Sequence, residues 1–270
     1  MSNIRHTPAA PASSASHRGG DVIDRHLHDD HQLIYVSSGV LAITTGHGSW
    51  VASSDRALWV PAGIWHEHRF YGHSEFHTIG FPADAIPLLP AGSPTVIAVD
   101  ALLRELLVAL TGASLSRAEA RRIRAVVRDR LHRAAVRPVM LPTPSDSRLA
   151  DACQIAEADL RLPRTLAWLA RRVNTSERTL SRLFRAEFGM SYPQWRTRTR
   201  IFAALVLLAD GATVTDTAYA CGWATTSAFV HAFAKAMGTT PGAHRAGGRQ
   251  AVLPVQGEPR PSAAHSSGTA

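Results

Sequence analysis

Residues 169–195, LARRVNTSERTLSRLFRAEFGMSYPQW, can be laid over residues 216–244, DTAYACGWATTSAFVHAFAKAMGTTPGAH, so that Phe184 falls on Phe233, Gly189 on Gly238 and Pro193 near Pro241. The offset is 49 residues after the turn and 48 before it, where Ala170 meets Ala218, so the second copy carries one extra turn residue. Each copy reads as a short helix, a tight turn, a second helix and a glycine stop. Two helix-turn-helix units joined by TRTRIFAALVLLADG make residues 148–246 an all-α region, with no strand pattern inside it.

The chain before it has a different rhythm. Between 22 and 97 the segments HQLIYVSSG, GVLAITTG, SWVASSDRALWVPAG, HEHRFYG and EFHTIGF alternate with Gly39, Gly46, Gly63 and Gly72, the pattern of a small antiparallel sandwich or barrel. DALLRELLVALTG and SRAEARRIRAVVRDRLHRAAV follow at helical spacing, and residues 98–137 are expected to pack on the barrel or to form a dimer interface. Three prolines from Pro138 onward mark 138–147 as a linker. Residues 1–21 and 247–270, rich in Ala, Pro, Ser and Gly, are expected to be disordered tails. The fold class is thus multidomain: an N-terminal all-β barrel with added helices, then a C-terminal all-α domain.

Of 270 residues, 45% are hydrophobic and 19% charged, which excludes a disordered chain. No run of 18 to 20 apolar residues exists, and the first twenty residues lack a secretory apolar core, so a cytoplasmic protein without a membrane partner is expected. Cys153 and Cys221 form no CxxC pair, which argues against a disulfide scaffold or thiolate chemistry. The net charge of +8 is concentrated: residues 148–249 hold 14 Lys and Arg against 7 Asp and Glu, and the rest of the chain 15 against 14. A polyanion is the expected partner of the helical region, with nucleic acid ahead of anionic membrane. Histidine is skewed the other way, 10 of 14 falling in residues 1–77.

On the second helix of the first unit, Leu180, Leu183, Phe184 and Phe188 form an inner face, while Arg178, Ser181, Arg182 and Arg185 point outward. Such a face can enter a major groove, where arginine donates two hydrogen bonds to guanine, or it can be merely solvated. The second unit offers the milder Thr226, Ser227, Val230, His231 and Lys235, suited to thymine methyl and phosphate contacts. These residues resemble the DNA-binding domain of AraC/XylS-type bacterial transcription regulators. The strongest match is ACGWATTSAFVHAFAKAMGTTPGAHR, with Gly222, Trp223, Ser227, Phe229, Phe233, Lys235, Gly238, Pro241 and Arg245 where the family pattern has them. The resemblance implies seven helices and base reading by Arg178 and Arg182 and by Thr226 and His231; double-stranded DNA is the expected partner, RNA polymerase a candidate contact, and a homodimer is favoured because symmetric half-sites are common in bacterial regulators. The family often has Arg where His231 stands.

In the N-terminal half, His26-x-His28-x3-Gln32-x6-Gly39 followed by Pro61-x-Gly63-x2-His66 resembles the two motifs of the cupin fold. Gln32 stands where metal-binding members have Glu, and Asp55 where they have Gly. The resemblance implies that His26, His28, Gln32 and His66 converge on one divalent ion, whether Zn, Ni, Cu, Mn or Fe, held more weakly for want of a carboxylate. Two other readings stay open: the histidines line a pocket for an organic effector, or they are hydrogen-bonded remnants. Trp59, Trp65, His68 and Phe70 are the candidate effector-pocket residues. The expected function is an effector-responsive DNA-binding regulator. A metal-dependent cupin oxygenase or isomerase with a helical interaction module is the alternative; no GxSxG elbow, phosphate loop or placed carboxylate pair supports other catalysis.

Overall fold

The computed structural model describes residues 4–10, 12–84, 92–112, 114–133 and 140–249. The N-terminal half is one curled nine-stranded sheet: β1 (Arg5–His6), β2 (Ser13–His17), β3 (Val22–Leu27), β4 (His31–Thr45), β5 (Gly48–Ala52), β6 (Arg56–Val60), β7 (His66–Phe81), β8 (Thr95–Ala98) and β9 (Met140–Pro142). Antiparallel β4 and β7 form its spine, from His31 opposite Phe81 to Thr45 opposite His66. The far side of β4 pairs first with β6 and then with β5. β4 is buried almost throughout because both faces are covered. Ile34, Val36, Leu41 and Ile43 meet Phe70 and Phe76 inside the curl, whereas Leu33 and Tyr35 face α1 (Ala101–Thr111) and α2 (Arg117–Arg133).

These two helices lay Leu103, Leu107, Leu110, Val127 and Leu131 on the sheet, so the apolar stripe of α2 packs on its own barrel. Two expectations fail. The described residues of the 1–21 segment are not a disordered tail, since β2 adds to the edge of β7, from Ser13 opposite Thr78 to His17 opposite Ser74, and β1 pairs with β3. Strand addition draws on backbone N–H and C=O groups, which a Ser- and Ala-rich segment supplies as well as any other. Nor is 138–147 a plain linker, because β9 pairs with β5. Of the expected C-terminal tail, residues 250–270 lie outside the described residues.

The C-terminal half has seven helices among the described residues: α3 (Ser147–Glu157), α4 (Leu166–Arg172), α5 (Glu177–Phe188), α6 (Tyr192–Ala209), α7 (Val214–Ala220), α8 (Thr226–Met237) and α9 (Pro241–Arg249). The repeat reappears in the caps. Thr165, Ser176, Thr213 and Thr225 each accept a backbone N–H at a helix start, and Gly189 and Gly238 end α5 and α8 at φ 65° and 77°. The two units have separate cores. Leu149, Leu169, Leu180, Phe184 and Trp195 hold the first, while the second combines Leu205, Ala218, Phe229, Phe233 and Met237 with Val40 and Val51 of the barrel. No helix among the described residues is long and apolar enough to cross a membrane.

Candidate functional site

Two places in the molecule carry the chemistry. The first is the outer surface of α5 and α8. On α5, Leu180, Phe184 and Phe188 are buried, which forces Arg178, Arg182 and Arg185 outward; all three are exposed, and Ser181 is half-buried. Among the described residues none of the three arginines has an ion-pair partner, so their donors are open to an anion. On α8, burial of Phe229 and Phe233 leaves Ser227, His231 and Lys235 exposed and Thr226 half-buried. Not all the basic charge of this region faces solvent. Arg196 is buried, donating to the Tyr192 hydroxyl at 2.9 Å and to the carbonyls of Leu160 and Leu162. Arg200 also donates to Leu160 O, at 3.2 Å, and lies over the Trp223 ring. The charge count could not separate these structural arginines from the exposed ones.

The second place is inside the barrel. β3 and β7 are antiparallel with His26 opposite His66. Side chains two apart on a strand share a face, so His28 and His68 complete a block of four imidazoles. Ring centroids lie 4.3 Å apart for His26 and His66, 5.1 Å for His26 and His28, and 5.2 Å for His66 and His68. All four side chains are buried, as is Gln32. His26, His28 and His66 each place Nδ1 on a backbone carbonyl, those of Asp24, Thr7 and Ile64, at 2.8, 2.9 and 3.0 Å. That contact fixes Nδ1 as the protonated nitrogen and leaves the Nε2 lone pair for another partner. His28 Nε2, His66 Nε2, both His68 nitrogens and Gln32 Oε1 are buried without a hydrogen-bond partner. Burial, the largest influence on each, holds His26 and His68 below the ordinary histidine range and takes His66 down to about 3. These imidazoles are therefore neutral, the form that donates a lone pair.

The sequence-level quartet and the observed cluster differ in one member. His26, His66 and His68 bring ligand nitrogens within 4.8 Å of one another, whereas Gln32 spends its amide N–H on Thr78 Oγ1 at 2.7 Å and turns only its oxygen free. The candidate pocket residues scatter. Trp59 sits between the sheet and α1 and α2, 5.4 Å from Phe81 and apart from the imidazoles. Trp65 is half-buried with the Arg25 guanidinium over its ring. Phe70 is interior core, stacked on His17 at 3.9 Å. His77 is satisfied by Ser37 and Thr111 and stands outside the cluster.

Residues 11–127 match the model of the AraC-like ligand binding domain, and residues 169–247 that of a helix-turn-helix domain. The chain is 30% identical over 244 residues to the HTH-type transcriptional regulator NimR of Escherichia coli strain K12, covering 88% of each. Among solved structures, the DNA-binding domain of AdpA in complex with a target DNA is 31% identical, covers 38% of this chain and 94% of its own, and gives a TM-score of 0.37. ToxT of Vibrio cholerae with a bound unsaturated fatty acid is 11% identical, covers 88% of this chain and 95% of its own, and gives 0.38.

Proposed function

The chain belongs to the AraC family of DNA-binding transcription regulators, with a ligand-binding N-terminal domain, and we propose that its effector is a divalent transition-metal ion held by the buried imidazole cluster. The observation that carries this reading is the set of unpartnered lone pairs on His28, His66, His68 and Gln32 inside the barrel. Leaving several buried polar atoms unpaired costs about 1–3 kcal/mol each, and a single cation would take up most of the free lone pairs at once. His26, His66 and His68 would be its ligands, with His28 or the Gln32 oxygen completing the set. Imidazole nitrogens sit about 2.0–2.1 Å from zinc and so about 3.4 Å from one another in a tetrahedral site, and a nitrogen spread of up to 4.8 Å has to close on the ion as it binds. An imidazole donor set suits Zn, Ni, Cu or Fe better than Mn, which favours carboxylate.

When bound, the ion ties β3 to β7 and favours whichever barrel arrangement holds the donors closest. Its effect on operator affinity cannot exceed its differential affinity for the two arrangements. Reading of DNA is assigned to Arg178, Ser181, Arg182 and Arg185 on α5 and to Thr226, Ser227, His231 and Lys235 on α8, supported by the exposure of all but the half-buried Ser181 and Thr226. Leu102 and Val126, 45% and 43% exposed on α1 and α2, support a homodimer through these helices, which sedimentation of a Leu102→Glu variant would convert to a monomer.

Elemental analysis of untagged chain purified without chelator tests the metal reading. About one ion per chain is expected, lost in His66→Ala and His68→Ala. A chain that takes up no Zn, Ni, Cu, Mn or Fe(II) overturns it.

A further inference from the structure

A cationic side chain of the barrel lies buried against the second reading helix. Arg56, at the start of β6, is 1% exposed. Burying a guanidinium is tolerated only where its fork of donors finds acceptors. Its Nη2 donates to the carbonyls of Ala236 at 3.3 Å and Met237 at 3.2 Å, while Nε lies 3.4 Å from the Asp55 carboxylate. Those two carbonyls belong to the last turn of α8, where C=O groups lack partners within the helix and the helix dipole is negative. The neighbouring contacts are equally close. Val40 and Val51 share a core with Phe229, Phe233 and Met237, and a Cβ on Gly72 would lie 2.5 Å from Ala209 O at the end of α6.

The grip is one-sided. The barrel takes the inner face and C-terminal end of α8, leaving Ser227, His231 and Lys235 exposed. α5 has no equivalent: among the described residues its core contains no barrel side chain, and its link to the interdomain segment is Glu187 accepting the N–H groups of Ser145 and Asp146. We propose that Arg56 is a positioning residue for DNA binding, fixing α8 to the barrel so that the second reader moves with the sensor while the first is carried on the other. The strands support this, because β7 runs from His66 and His68 to Gly72, and β6 runs from Arg56 to Val60, opposite Gln32. The inference does not depend on what the imidazole cluster binds.

The test uses the full chain and duplexes that the wild type selects from a random pool. Hydroxyl-radical footprints of Arg182→Ala and His231→Ala assign the two half-sites to α5 and α8. Arg56→Met is then expected to weaken protection of the α8 half-site about tenfold and to leave the α5 half-site as in wild type. Arg56→Lys, which keeps the charge without the fork, should show a smaller loss at the same half-site. Wild-type protection of both half-sites overturns the proposal, and so does equal weakening of both, which would be general destabilisation. Should Arg56→Met fail to fold, Arg56→Lys is read by the same two criteria.

Discussion

Buried histidines set the acid limit of this protein. In the metal-free chain, burial keeps His26, His66 and His68 neutral when folded, while the unfolded chain titrates its histidines near 6.5. Below that value the unfolded state binds more protons, so stability is full above about 6.5 and is lost as pH falls toward the folded value of about 3 for His66. His66 alone costs about 1.4 kcal/mol per pH unit in that window. Urea midpoints should therefore drop between about pH 7 and about pH 5, and a flat profile would refute neutrality of the cluster. On the reading face, Arg182→Ala should cost about 1–3 kcal/mol and relax base preference at one position if it contacts guanine. Lys235→Ala should weaken binding evenly across sequences and lower the salt slope by about 1. Most of the cluster was readable, because His26, His28 and His66 stand in a recognisable spacing. His68 was not assigned with them, since its place beside His26 depends on the register of β3 on β7.

The helix-turn-helix units were legible as elements, because caps, glycine stops and apolar spacing are local signals that recur in both copies. The connecting segment was legible too, but the contacts that lock it to the units were not. Arg196 and Arg200 of α6 reach back to the carbonyl of Leu160, before α4, and Gly222, after α7, packs its backbone on that same carbonyl. Gly222 sits at φ 79° where a Cβ would collide with Leu160 O. Gly222→Ala is expected to destabilise the reader by about 2 kcal/mol or more, combining the left-handed backbone cost with the clash. Thermal unfolding would measure it, and an unchanged midpoint would show that the two units are not locked here. β1, β2 and β9 were missed for the opposite reason. They are edge strands whose pairing uses backbone alone, so their side chains carry no alternating pattern to read.

Across the molecule, the concentration of basic residues pointed correctly to a DNA-binding half, and salt titration should show binding falling with a slope of about −0.9 per phosphate neutralised. A slope near zero would mean the exposed arginines of α5 do not meet phosphate. Periodicity, caps, the repeat and the histidine spacing are properties of short stretches, so the sequence alone settled the two-part architecture, the DNA reader and the presence of a histidine-rich barrel. Three matters waited for the tertiary structure: which imidazoles converge, which arginines are buried inside the reader, and that Arg56 of the barrel reaches the end of α8, 180 positions away. Each depends on strand register or on contact between distant segments, and no local pattern in a chain encodes which remote carbonyl a side chain will meet.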